Sequence, residues 1–131
     1  MLTNRSYRLF NIVFIGAIIL SLSLPLSALA QTPPTGSITY SLPSPVKPGD
    51  PLVITATFNE DMAASPIPQL SISGANVLSP TDLTMVSATV YTLNYLVGSG
   101  DGTANITFAT GTDVDLEPLD ANPASGGSFS I

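Results

Sequence analysis

The chain of 131 residues contains no cysteine, no histidine and no tryptophan. Without cysteine it has no disulfides, no thiolate nucleophile and no sulfur ligand for zinc or haem iron. Without histidine it lacks the usual general base near neutral pH and the commonest imidazole ligand. Serines are plentiful, yet the chain has a single lysine, Lys47, in a turn, so no serine has a ready base partner. Tryptophan is the best platform for a sugar ring, and it too is missing. These absences point to a protein that is not an enzyme.

Positive charge is equally scarce. Of the three basic residues, Arg5 and Arg8 lie in the first eight positions, which leaves Lys47 to face nine acidic residues. A surface this acidic excludes nucleic acid as a natural partner. It is also repelled by anionic lipid headgroups, so direct membrane binding is disfavoured once the N-terminal segment is gone. Twelve prolines, ten glycines and only 9% charged residues suit a turn-rich β protein better than a helical one.

Long apolar runs are confined to the N-terminus. Residues 1–8 carry two positive charges, residues 9–24 are largely apolar, Pro25 interrupts, and Ala28-Leu29-Ala30 offers small residues at the cleavage offsets. This is the pattern of a signal-peptide helix over 1–30, cleaved after Ala30, and it implies a secreted or cell-surface protein. The alternative is a retained anchor, for which the run is short and contains Asn11.

Residues 31–36 (QTPPTG) read as a polar linker, and residues 37–131 as one domain. Alternation at period two marks the strands. Its stripes are Ile38, Tyr40 and Leu42, then Leu52, Ile54, Ala56 and Phe58, then Leu70 and Ile72. Met85 and Ser87 mark a weak fourth strand. Tyr91, Leu93, Tyr95 and Val97 form the strongest stripe, followed by Ala104, Ile106 and Phe108, and last by Phe129 and Ile131. Seven short strands in about a hundred residues predict an all-β fold, a seven-stranded antiparallel sandwich. Tyr40, Tyr91 and Tyr95 fall on these stripes, which makes them core residues with hydroxyls at the rim.

Three stretches carry a family resemblance: VKPGDPLVITATFNEDM at 46–62, PQLSISGAN at 68–76 and GDGTANITFATGTDVD at 100–115. Together they resemble the bacterial immunoglobulin-like modules (Big-type, cadherin-like sandwiches) of large surface proteins. The matching positions are Lys47, Gly49 and Asp50, then Phe58 and Glu60, then Pro68, Leu70, Ile72 and Gly74, then Gly100 to Thr103. The resemblance implies an immunoglobulin-like fold and a non-catalytic role as a structural spacer or adhesion unit. The partners it implies are a protein or glycan on a surface, or neighbouring domains in a longer chain.

One cluster of residues suggests chemistry. In an immunoglobulin-type sandwich the loop after the second strand and the loop after the sixth share one end, which brings Glu60 and Asp61 towards Asp113, Asp115, Glu117 and Asp120. Hard carboxylate oxygens suit calcium, and the alternate spacing of Asp113 and Asp115 is one that calcium loops use. Calcium at Glu60, Asp61, Asp113, Asp115 and Asp120 is therefore one expectation. A solvated acidic loop that keeps the protein soluble is the other. A small carbohydrate-binding accessory domain is a third reading of the same chain, although the domain has little room for a cleft.

Overall fold

The computed structural model describes residues 31–131, and the expected signal-peptide helix over 1–30 lies outside the described residues. The described chain folds into eight strands with no helix among them: β1 (Gly36–Tyr40), β2 (Pro51–Phe58), β3 (Gln69–Gly74), β4 (Leu78–Asp82), β5 (Thr84–Met85), β6 (Val90–Leu96), β7 (Thr103–Thr110) and β8 (Ser128–Ser130). They form two four-stranded antiparallel sheets, one in the order β1-β2-β6-β5 and the other β4-β3-β7-β8.

The expectation of seven strands is corrected to eight. The difference lies between Leu78 and Met85, where the chain first pairs with β3 as β4 and then, after one residue, with β6 as β5. That residue is Leu83, buried between the two strands, with its N–H donated to Pro68 O. The weak fourth strand expected at Met85 and Ser87 overlaps β5, whereas β4 (LSPTD) buries no side chain fully and carries no apolar alternation, so the sequence pattern does not show it.

The alternating stripes become the core. Ile38, Leu52, Ile54, Ala56, Phe58, Leu70, Ile72, Tyr91, Ala104, Ile106, Phe108 and Phe129 are all buried. Burial of each large side chain among them contributes about 1.5–3 kcal/mol. The two sheets turn these faces towards each other in a β-sandwich-like arrangement. Aromatic rings join them: Phe58 of β2 meets Phe108 of β7 at 5.4 Å, and Phe129 of β8 meets Tyr40 of β1 at 5.5 Å.

Part of the stretch expected as a linker at 31–36 lies against the domain. Pro34 is buried, Thr35 exchanges hydrogen bonds with Asn59, and Gly36 already belongs to β1. Pro34 is held because its carbonyl accepts the N–H of Asp120. The segment before β8 runs beside β1, where the N–H of Ile38 bonds to Ser125 O and that of Ala124 to Gly36 O. It also accepts from β7, through Ala121 O and Gly127 O. The outer edge of β1 is thereby covered from Gly36 to Ile38.

Candidate functional site

The strand directions define two poles. At one lie the β2–β3 loop (59–68) and the β7–β8 loop (111–127); at the other lie the β1–β2 loop, the β3–β4 turn and the β6–β7 loop. The first pole holds Glu60, Asp61, Asp113, Asp115, Glu117 and Asp120, six of the nine acidic residues. Its two loops are joined by backbone: Met62 bridges Asp113, Ala63 N–H bonds to Thr112 O at 2.9 Å, and Val114 N–H bonds to Asp61 O at 3.1 Å. The expectation that these loops share an end is what the structure shows.

The carboxylates themselves do not converge. Among the described residues no three carboxylates are gathered in a group that could hold a metal ion. Asp113 turns inward, only 1% exposed, and its Oδ1 accepts the N–H groups of Asp115 at 2.9 Å and Glu117 at 2.8 Å. Asp115 points out of the loop that Asp113 closes, and is exposed. Glu60 is half-buried and accepts from Asn59 Nδ2, Asp61 is exposed, and Asp120 Oδ1 caps Asn122 N–H in its own turn. The 113–117 stretch is a tight turn and not a strand, so alternate spacing does not place its carboxylates on one face. Asp113 Oδ2 and Thr112 Oγ1 are buried without a hydrogen-bond partner.

No family model, curated protein or solved structure matches this chain. The candidate site therefore rests on its own geometry.

Burial raises the pKa of all three core tyrosines. Tyr40 is pushed up to about 12 by desolvation, and its hydroxyl donates to Gly126 O. Tyr91 is raised by burial and then by the nearby Asp61 carboxylate. Tyr95 is raised by burial, partly offset by the backbone of Gly98. Each stays protonated and neutral at physiological pH.

The opposite pole contains a residue that alternation could not reveal. Asn76, buried in the β3–β4 turn, accepts hydrogen bonds from the Tyr95 hydroxyl and the Gly98 N–H, both at 2.6 Å. The side-chain amide donates to Ala75 O. Its only sequence signal is the G-A-N turn that ends the third stripe. Near this pole the outer face of β2 and β6 carries a shallow depression of about 240 Å³, lined by Pro51, Leu52, Val53, Asn94, Tyr95 and Leu96. No charged side chain lines it, and it is smaller than a usual small-molecule pocket.

Proposed function

We propose that this chain is a non-catalytic, immunoglobulin-like module of an exported protein, serving as a structural spacer and binding unit. Strand order supports the fold assignment. Constant-type immunoglobulin domains place strands A, B, E and D in one sheet and C, F and G in the other. With β1 to β3 taken as A to C and β5 to β8 as D to G, the same order appears, and β4 is an added edge strand. Export rests on the signal pattern of residues 1–30, and sequencing of the mature N-terminus tests it by looking for a start at Gln31.

The observation that carries the spacer role is the placement of Gly36 and Ile131. Gly36 pairs with Phe58 at the acidic pole, whereas Ile131 exchanges two backbone hydrogen bonds with Gly102 at the other. The two positions therefore lie at opposite ends of the strands. The eight-residue β2 alone spans about 26 Å at roughly 3.3 Å per residue. Two copies of residues 31–131 joined in tandem should then scatter X-rays as an extended rod, close to twice the length of one. A compact, side-by-side pair would remove the spacer reading.

A further inference from the structure

The edge of a sheet is a row of unpaired backbone groups, and this fold guards most of its edges. Residues 124–125 lie along β1, the N–H of Val46 bonds to Ser130 O beside β8, and β4 carries Pro80, which has no N–H to offer. The exception is β6. Its neighbour β5 is two residues long and pairs only with Tyr91 and Thr92, so residues 93–96 have no strand on that side among the described residues. Backbone groups alternate in direction along a strand. Thr89 and Val97 bond towards β2, at Phe58, Gly49 and Asp50, whereas Val90 bonds towards β5, at Val86 and Ser87. Asn94 and Leu96 share the parity of Val90, so their N–H and C=O groups point into the open lane. Both residues are exposed, Leu96 by 68%.

The core is open at the same place. Tyr91, opposite Met85, is 2% exposed, whereas Leu93, two residues on and also core-facing, is only half-buried although its partner Ile54 is fully buried. In the other sheet Leu78 stands opposite the buried Ile72 and is half-buried too. The bond between Tyr95 and Asn76, each two residues from one of these leucines, ties the two sheets at this level. A strand laid where β5 stops would cover both leucines.

These features specify the occupant. N–H and C=O groups two residues apart match an extended backbone and not a sugar or an ion. The two leucines require an apolar side chain turned inward. No charged residue lies at Leu78, at positions 93–96 or in the depression lined by Pro51, Val53 and Leu96, so a charged segment finds no counter-charge. A second copy sets nine acidic residues against nine and is repelled. We propose that β6 accepts an added strand in line with β5: an uncharged, extended segment of a partner protein that pairs with Asn94 and Leu96 and turns an apolar side chain over Leu78 and Leu93. The inference locates the binding half of the proposed function and rests on it.

The test adds a capped peptide of alternating valine and threonine to the full chain and follows amide hydrogen exchange by NMR. The control is the same peptide N-methylated on the edge that faces β6, which keeps the side chains and removes the donors. In the free chain the amides of Asn94 and Leu96 should exchange fast and those of Leu93 and Tyr95 slowly. The unmethylated peptide should slow exchange at Asn94 and Leu96 by about tenfold or more, and the methylated one should not. Leu96→Pro removes a donor that serves no bond within the fold, so it should weaken peptide binding about tenfold while the melting temperature stays near that of the parent. Protection absent with the unmethylated peptide, equal with both peptides, or produced by raising the protein concentration alone would overturn the proposal. None of these results bears on the spacer role, which the scattering of the tandem decides separately.

Discussion

Asn76 and Tyr95 join the two sheets by a single hydrogen bond of 2.6 Å, from the tyrosine hydroxyl on β6 to the amide oxygen in the β3–β4 turn. The same oxygen also takes the Gly98 N–H, so one side chain satisfies a strand of one sheet and the loop that leaves it. Asn76→Ala would strand both donors in a part-buried site, and a loss of about 2–3 kcal/mol in chemical denaturation is expected. Tyr95→Phe should cost about 1 kcal/mol, and the double variant less than the sum of the two. Additive losses would mean that the two groups do not act as a unit.

Tyr40 gives the fold a weakness at high pH. In the unfolded chain its phenol ionises near pH 10, whereas in the folded state burial holds the proton until about pH 12. Between those values the unfolded state sheds a proton that the folded state keeps, so stability falls as pH rises. Below pH 10 the contribution is constant. Tyr91 and Tyr95 are shifted in the same direction and add to the slope. Denaturation midpoints measured from pH 9 to 12 should decline for the parent chain and decline less steeply for Tyr40→Phe.

Strand alternation was legible because one face of each sheet is buried. Leu52 to Phe58 and Ala104 to Phe108 could be assigned to the core from spacing alone, and every apolar member of both stripes is buried. Leu83, Val46 and Met62 are equally buried but stand outside any stripe, at a crossing and in two loops, where position depends on tertiary contacts. The acidic pole was legible as a meeting of loops. The direction of each carboxylate was not, because a carboxylate that caps its own backbone and one that faces solvent look alike in a sequence. Asp113 and Asp115 differ in this way.

Gly126 and Gly49 both sit at positive φ, 69° and 88°, yet substitution should separate them. A Cβ on Gly126 would lie 2.0 Å from the carbonyl oxygen of Ile38, in the segment that covers the edge of β1. A Cβ on Gly49 meets nothing within 4 Å. Gly49→Ala should cost only the left-handed strain, about 1–2 kcal/mol. Gly126→Ala adds a backbone clash to that strain and should lose clearly more, or fail to fold. Equal melting temperatures for the two would show that the edge segment yields freely.

Leu116 should respond to substitution by backbone conformation and not by size. Leu116→Gly removes the left-handed penalty of about 1–2 kcal/mol and gives back part of it as added freedom in the unfolded chain, about 0.4–1 kcal/mol. The expected net is a gain of about 0 to 1.6 kcal/mol. Leu116→Val places a β-branched side chain at the same φ and should destabilise. A thermal melt of the three proteins should therefore rank glycine at or above leucine, and valine lowest.

Asp113 anchors the loop through its own carboxylate, and this decides how the pole responds to metal and to mutation. Asp113→Ala deletes the acceptor of two backbone N–H groups, and a loss of about 2–3 kcal/mol is expected. Asp113→Asn keeps an oxygen at the same place and should lose less. Because no three carboxylates among the described residues are gathered to share an ion, millimolar calcium should leave the melting temperature of the parent unchanged. A calcium-dependent rise that disappears in Asp113→Asn combined with Asp115→Asn would show instead that the loop reorganises to bind the ion, with the buried Oδ2 of Asp113 as its first ligand.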